Sequence, residues 1–529
     1  GVGAKMRRRL FPLIARSAGL ETAMRRRDFL RATATAGTAA AVGMSWSRGA
    51  AAAFGETPVD YQSVMLPESV RAQSILEVFM YGGVSPWETF LASDEYGKND
   101  KRFLYAFYDR TLQACEGCGY EANEGNLLTP FGEDSAGKPA FLGPFLQPLL
   151  ARPDVVERMR VVVNRHELEP HEAAIPLAMS GRTLGSPSLA SLGTHVQRYF
   201  VDREVVARGA PYAYGFATAG GFIPTDNVLS LVATGLHPGS ARPLLIKVDN
   251  VTRLNELLDR TTVGSLTERA KYDALMRAYF TTYEAKLRYG ADGTKLRAAR
   301  FHELLQASRS VENADSVKGV LDPELFVKMP GKACEDENEI NVPAMSLRLA
   351  THLLTHPQTP ARHCCVIDTG LHEADGGGGY DTHEEMTFTQ ARNLKNLLTN
   401  LLSRVNQPGE ADPNKIDLDK TMIVLNQEFG RTPGAQDGSF GRNHWPYGYA
   451  QIYIGGPITK AQRGVYGSIL ETGHAGVNTT PTENRIAALL AMGIYPFDSA
   501  AFSNSDVQGQ SNDGLAIADA TRRILGYEV

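Results

Sequence analysis

Short apolar runs recur along the chain, and most of them are followed by glycine or by polar residues. Runs of this length that are rich in Val, Ile and Leu are typical of strands buried on both faces of a largely parallel sheet. The six predicted strands are Ile75–Tyr81, Arg160–Asn164, Leu244–Val248, His363–Asp368, Met422–Asn426 and Gln451–Ile454.

Between several of these runs, apolar residues recur at helical spacing. The predicted helices are Glu172–Ser180, Met386–Arg404 and Glu483–Met492. This alternation indicates an α/β fold in which a mixed, mostly parallel sheet lies between helices. Residues 253–326 differ, because helical periodicity is almost continuous there and charges are frequent, so we expect a helical insertion within a single domain over 54–529. No apolar stretch approaches the roughly 18 residues that a membrane-spanning helix needs.

Positive charge is concentrated at the start of the chain. The whole chain has a formal net charge of −5, yet residues 1–53 contain ten Lys and Arg and only two acidic residues. The rest of the chain is therefore strongly acidic, which argues against nucleic-acid binding because such a surface cannot neutralise phosphates. A basic head on an acidic body suggests a targeting segment.

The basic head has the order of parts that a twin-arginine export signal has. Arg26–Arg31 reads Arg-Arg-Asp-Phe-Leu-Arg, a weakly apolar stretch covers Ala32–Trp46, and Ala50–Ala53 offers small residues to a signal peptidase. Met24 is then the expected true start. The alternative is a disordered basic tail. We expect export by the twin-arginine route and a periplasmic or extracellular location.

The five cysteines are too few for a disulfide scaffold in a chain of this size. Cys115 and Cys118 form a single Cys-x-x-Cys pair in a polar segment that contains glycine. Because a zinc ribbon needs a second such pair, we expect a local disulfide here. Cys364 and Cys365 lie in an apolar run and are expected in the core. The sequence does not place Cys334.

Four segments that follow predicted strands carry nearly all of the clustered polar chemistry. In open α/β sheets, ligands bind beyond the carboxyl ends of the strands, so these segments are expected to meet. Carboxylate and imidazole together suit zinc, manganese or iron better than calcium or magnesium. We expect one divalent metal, with zinc, manganese, iron and calcium as candidates. The candidate ligands are Glu88, Asp381, His383, Glu428 and His444.

Two further residues are candidates for a catalytic role. His171 would lie at a helix N-terminus, where exposed N–H groups and the helix dipole favour an anion. Arg431 follows a strand and would bind an anionic group. His372 competes with His383 for the metal, and the sequence does not choose between them. A P-loop, a dinucleotide fingerprint and a Gly-x-Ser-x-Gly elbow are all absent.

Several of these motifs resemble those of one large bacterial family. They are the export signal, the Gly-Gly after the first strand, Gly-Tyr-Asp-Thr-His over 379–383, Glu-Phe-Gly-Arg-Thr-Pro over 428–433, and Gly-Arg-Asn-His-Trp over 441–445. The chain resembles the exported, sulfatase-like family of unknown function placed in the alkaline phosphatase superfamily, over most of residues 70–500. The resemblance implies a mixed sheet between helices with a metal-assisted site at the carboxyl edge.

The chain departs from the superfamily at three positions. Counted back from Ser180-Gly181-Arg182, His171 stands where sulfatases have a nucleophilic Cys or Ser. Glu428-Phe429-Gly430 stands where the superfamily has Asp-His-Gly, and Asn443 where the family usually has Asp. These differences imply one metal rather than two, and they put covalent phosphatase or sulfatase chemistry in doubt.

Two functions from different classes remain open. In the first, the protein is an exported metal-dependent hydrolase of phosphate or sulfate esters, acting on a small molecule or a glycan. His171 would be a general base, a nucleophile or an additional ligand, and Arg431 would neutralise the non-bridging oxygens. In the second, the fold has lost catalysis and serves as a periplasmic binding or assembly protein. Protein partners cannot be read from the sequence.

Overall fold

The computed structural model describes residues 54–186, 189–202, 213–218, 243–248, 341–357, 360–371, 379–436, 439–498 and 501–529, together with eight positions between 268 and 282. They belong to the compact unit Ala53–Val529. The predicted export signal, His372 and most of the predicted insertion over 253–326 lie outside the described residues. The eight described positions between 268 and 282 are helical, as predicted.

Twelve strands are present in the described residues. In chain order they are β1 (Ser74–Met80), β2 (Thr129–Glu133), β3 (Pro139–Leu142), β4 (Met159–Asn164), β5 (Ala213–Thr218), β6 (Leu244–Val248), β7 (His363–Asp368), β8 (Thr421–Asn426), β9 (Gly430–Arg431), β10 (His444–Trp445), β11 (Tyr449–Gly455) and β12 (Gly464–Tyr466). All six strands predicted from the apolar runs are confirmed.

Besides the helical positions between 268 and 282, nine α-helices have defined bounds in the described residues. They are α1 (Tyr108–Gly117), α2 (Gln147–Leu150), α3 (Pro153–Val156), α4 (His171–Ser180), α5 (Leu192–Asp202), α6 (Val342–Leu354), α7 (Met386–Ser403), α8 (Pro481–Ala491) and α9 (Asp513–Ala520). The three predicted helices correspond to α4, α7 and α8 within two residues at each end. Among the described residues, none of the helices has both the length and the apolar character that crossing a membrane requires.

Eight strands form the central sheet in the order β12-β4-β11-β8-β1-β7-β5-β6. Seven of them run parallel, whereas β11 runs antiparallel to both of its neighbours, β4 and β8. In the centre of the sheet, Leu76 pairs with Cys364 on one side and with Ile423 on the other. The predicted mixed, mostly parallel α/β sheet is confirmed.

Both faces of the sheet are covered by helices. Since alternate residues of a strand point to opposite faces, neighbouring residues of β1 pack against different helices. Leu76 of β1 is buried in one apolar cluster with Leu394 and Leu397 of α7. Its neighbour Ile75 is buried in a second cluster with Leu489 of α8. The molecule therefore has three layers, and the strand ends emerge between the two helical layers.

The expected disulfide between Cys115 and Cys118 is wrong. The segment is helical up to Gly117, and Cys115 is a free thiol buried in the apolar core. Burial raises the pKa of Cys115 to about 12. Cys118 is disulfide-bonded, but not to Cys115. The buried positions of Cys364 and Cys365 in β7 agree with the expectation.

Candidate metal centre

The carboxyl ends of β1, β4, β7 and β8 meet at one edge of the sheet. Because β11 runs the opposite way, the segment before it, which carries His444, arrives at the same edge. Helix α4 begins at His171 directly after the loop that leaves β4, and it ends at Gly181 in the left-handed conformation (φ 70°). The topology thus brings most of the predicted site residues to one place, Glu88 excepted.

Asp381 is the centre of this group. Its Oδ2 lies 3.1 Å from Nε2 of His171, and its Oδ1 lies 3.1 Å from Nε2 of His383 and 3.3 Å from Nε2 of His444. Close approach of the chain after β1 makes this position possible: Gly82 has φ 101°, and a Cβ there would lie 2.0 Å from the backbone nitrogen of Asp381. Only glycine can occupy that position without displacing Asp381.

All three histidines point their other ring nitrogen outward, to a hydrogen-bond acceptor. Nδ1 of His171 lies 2.8 Å from Oε1 of Glu428, and Nδ1 of His383 lies 3.0 Å from Oε1 of Gln436. Nδ1 of His444 lies 2.9 Å from the backbone carbonyl of Glu169. Since each partner accepts, each Nδ1 carries the proton, and the lone pair of a neutral ring is on Nε2.

The donor atoms of His171, Asp381 and His444 lie close enough together to hold one ion, and His383 lies beside His444 and Asp381. Nε2 of His383 lies 3.2 Å from Nε2 of His444, in addition to the contacts of both with Asp381. Tetrahedral ligands at the metal–nitrogen distances typical of zinc are about 3.3–3.6 Å apart. The donor atoms of His171, Asp381 and His444 all lie within 4.8 Å of one another. A donor set of imidazole and carboxylate suits zinc, manganese or iron.

Two buried polar atoms in the group have no hydrogen-bond partner. They are Nε2 of His171, whose contact with Asp381 is not aligned as a hydrogen bond, and Oε2 of Glu428. Buried polar atoms are nearly always satisfied in folded proteins. A metal bound at Nε2 of His171 would satisfy the first of them, so the residues fit the ion.

Burial and neighbouring charges shift the pKa values of His171, Asp381 and His444. Burial alone would lower the pKa of His171, but the carboxylates of Asp381 and Glu428 outweigh burial and raise it to about 9. Burial would raise the pKa of Asp381, yet the three histidines and Arg431 hold it far below its usual range. Burial lowers the pKa of His444, with Asp381 opposing. Without metal, His171 is therefore protonated on both ring nitrogens at neutral pH.

We expect the metal-free protein to lose stability as the pH rises from 6.5 to 9. A raised pKa means that protonated His171 stabilises the fold fully below pH 6.5, and that this contribution disappears as the pH passes about 9. The loss should be about 3 kcal/mol in the free energy of unfolding. Urea unfolding in chelator at several pH values measures it, with His171→Gln as the control that should lack the decline. Equal pH profiles for the two proteins would contradict the prediction.

Glu428 contacts the candidate ligands through the outer nitrogen of His171. Its Oε1 accepts hydrogen bonds from His171 and from the backbone N–H of Gly82, at 2.7 Å for the latter. A carboxylate that holds the outer nitrogen of a histidine fixes the ring's orientation and increases its strength as a ligand. The structure therefore places Glu428 outside the set of atoms that face Asp381, whereas the sequence predicts it as a ligand. His171, and not Glu428, has a nitrogen that faces Asp381.

Arg431, predicted to bind a substrate anion, is bonded to protein groups in this structure. Arg431 is fully buried, and its guanidinium donates to the carbonyls of Gly82, Gly83 and Arg442 and, at 2.7 Å, to Oδ1 of Asp381. All of its nitrogens are therefore engaged within the protein. Arg431 fixes the carboxylate of Asp381, and it also ties that carboxylate to the loop after β1.

Glu88, a predicted ligand, lies in a buried ion pair. Its Oε1 lies 2.5 Å from Nη2 of Arg442, its Oε2 accepts from the hydroxyl of Ser85, and all three side chains are buried. The buried ion pair engages the carboxylate away from the histidines. The sequence predicts Glu88 as a ligand because Glu88 follows closely after β1. In the structure its carboxylate contacts Arg442 and not the histidines.

Sequence reasoning missed the groups that orient the histidines. Gln436 lies in a loop without a recognisable motif, and Glu169 acts through its backbone carbonyl, which no side-chain pattern reveals. The ring of Phe429 stacks on His444 with centroids 4.3 Å apart, and Tyr81 stacks on His171 at 5.2 Å. The apolar position of Phe429 between Glu428 and Gly430 was the available signal for such packing.

Residues 351–496 match the model of a family described as a protein of unknown function (DUF1501). The matched segment contains Asp381, His383 and His444, whereas His171 lies before it. No curated protein and no solved structure matches the chain. Over the part that carries three of the four converging side chains, the chain is therefore similar to a family whose activity is not described.

Proposed function

We propose that the protein is an exported metal-dependent hydrolase of phosphate or sulfate esters that uses one divalent metal. The observation that carries this proposal is the convergence of the Nε2 atoms of three histidines on the carboxylate of Asp381, while each Nδ1 lies beside an acceptor. The sulfatase-like form of the α/β fold, within the alkaline phosphatase superfamily, is part of the proposal. So is export by the twin-arginine route.

The protein residues have distinct tasks in this proposal. Asp381, His171, His383 and His444 would hold the metal, which supplies Lewis-acid polarisation of an ester oxygen and a water of lowered pKa. Glu428 keeps the proton on Nδ1 of His171. The N-terminus of α4 begins at His171, and its positive dipole end favours a negatively charged ester nearby.

A second candidate, a periplasmic binding or assembly protein, is favoured by two observations. The position at the start of α4 holds an imidazole rather than a hydroxyl or thiol, and Arg431 is fully engaged inside the protein. In that case the metal centre would be structural, or would serve binding alone. The two functions share the metal and differ in ester turnover.

We expect about one equivalent of metal in protein purified without chelator, and its loss in His444→Ala. Mass spectrometry of the metal content measures this, and p-nitrophenyl phosphate, bis-p-nitrophenyl phosphate and p-nitrophenyl sulfate then test turnover. His356→Ala is the matched control, since His356 precedes β7 at the opposite edge of the sheet. Metal with no turnover would favour the binding protein. No metal, even after zinc, manganese and iron are added back, would exclude both metal-based functions.

A further inference from the structure

Three aromatic rings lie together beside the candidate metal centre. Trp445 is the last residue of β10, Tyr447 lies between β10 and β11, and His474 lies in the loop after β12. The ring centroids of Trp445 and Tyr447 are 5.0 Å apart, those of Trp445 and His474 are 4.8 Å apart, and those of Tyr447 and His474 are 5.3 Å apart. All three side chains are partly exposed. We call this group the aromatic rim.

Polar atoms of the aromatic rim are bonded within the protein. Nε1 of Trp445 donates to the carbonyl of Gly473 at 2.8 Å, and the hydroxyl of Tyr447 donates to Oε1 of Glu169 at 2.9 Å. Nδ1 of His474 lies 3.1 Å from the hydroxyl of Thr472. With the indole and phenol donors engaged, these two side chains offer a ligand mainly ring surface. The rim is also fixed, because these bonds hold its rings in place.

Glu169 joins the aromatic rim to the metal centre. Its side chain accepts from Tyr447, and its backbone carbonyl accepts from Nδ1 of His444. One residue thus separates a ring of the rim from a candidate metal ligand. Glu169 is exposed, so its carboxylate can also meet a ligand that lies on the rings. A ligand that lies on the rim and contacts Glu169 would therefore be close to His444 of the candidate metal centre.

We propose that the aromatic rim binds a sugar ring, so that the substrate is an ester carried on an uncharged carbohydrate. The C–H face of a pyranose packs on an aromatic face, whose negative quadrupole attracts it. The hydroxyl groups at the edge of such a ring donate to a carboxylate such as that of Glu169. A nucleic-acid strand would stack similarly but needs cations along its backbone, and the neighbouring Arg165 is paired with Glu167 at 2.8 Å. The position of the ester relative to the sugar rests on the proposed function.

Calorimetric titration with cellohexaose, maltohexaose and chitohexaose tests this inference on the full chain. We expect at least one of the three to bind in the micromolar to millimolar range. Trp445→Leu keeps apolar bulk but removes the ring, and we expect it to weaken that binding at least about tenfold, or about 1.4 kcal/mol. His474→Ala should act in the same direction. Tyr447 is left unchanged because it also supports Glu169.

Phe440→Ala is the matched control. Phe440 is an exposed aromatic residue whose ring packs under Arg110, 3.6 Å from the guanidinium carbon, and it contributes nothing to the rim. Its loss should leave sugar binding unchanged. Binding of none of the three sugars, or equal binding by wild type and the Trp445→Leu, His474→Ala double variant, would overturn the inference.

Metal content and ester turnover, measured on the same samples, separate this inference from the proposed function. Sugar binding that depends on Trp445 in a protein without metal would support the rim and contradict the hydrolase. Metal and turnover without sugar binding would overturn the rim alone.

Discussion

Asp381→Asn is expected to abolish metal binding and to destabilise the metal-free fold. Asparagine keeps the shape of the side chain but removes the charge that three histidines and Arg431 surround. Metal affinity should fall by several orders of magnitude, because the carboxylate is the anionic donor among the four. Arg431 would then be a buried cation without its partner, which costs about 3–5 kcal/mol when nothing replaces the charge. Metal analysis and urea unfolding of the two proteins measure both effects.

Asp368→Asn is the matched control for this change. Asp368 is also buried at the carboxyl edge of the sheet, where it accepts from the hydroxyl of Tyr380 at 2.7 Å and from the backbone of Gly370 at 2.8 Å. Burial raises its pKa to about 6, so it is still mostly ionised at neutral pH and the substitution removes a comparable charge. Metal content should be unchanged. Loss of the metal in both variants would contradict the prediction, because it would show that binding does not depend on Asp381 in particular.

Glu77→Gln is expected to lower the free energy of unfolding by about 3–5 kcal/mol, without any contact with the metal centre. Glu77 lies fully buried in β1, where it pairs with Arg485 of α8 and lies 3.3 Å from Nε2 of His363. Asn426 donates to the same carboxylate at 2.9 Å. Removing the carboxylate leaves the guanidinium of Arg485 buried without a counter-charge.

The ion pair between Glu77 and Arg485 also predicts that the stability of the fold falls at acid pH. Burial would raise the pKa of Glu77, but Arg485 and His363 outweigh it and lower the pKa to about 2. The pair therefore stabilises the fold fully above pH 4.5, and the contribution disappears as the pH falls through about 2. Urea unfolding at pH 7 and pH 3 compares wild type, Glu77→Gln and the double variant with Arg485→Met. The double variant should recover part of the loss, and a Glu77→Gln protein as stable as wild type would contradict the argument.

The sheet could be predicted because its strands are buried on both faces and therefore appear as unbroken apolar runs. β5, over Ala213–Thr218, contains Gly215 and small residues, so its run is weak although it pairs between β6 and β7. β12 has only three residues, all partly exposed. The reversed direction of β11 leaves no mark in its own composition. Direction and order depend on tertiary pairing, which a local pattern does not contain.

The candidate ligands could be predicted because strand ends concentrate polar residues at one edge. Asp381, His383 and His444 lie together as expected, and His171 lies with them. The roles of Arg431 and Glu88 could not be predicted, since each depends on a buried partner. Glu88 pairs with Arg442, 354 residues away along the chain. The predicted disulfide partner of Cys118 is wrong for the same reason. The Cys-x-x-Cys spacing suggested Cys115, which is a free thiol in the structure.

The distance along the chain between the parts of the metal centre has a consequence for how the protein matures. His171 and Glu428 are 257 residues apart, and His383 and His444 come from two further segments. A nascent or unfolded chain therefore holds no preformed site, and metal capture must wait until the layers have assembled. An ion bound at the proposed centre would stabilise only the assembled state, so it would slow unfolding and proteolysis. Metal occupancy would then mark each molecule that has completed folding.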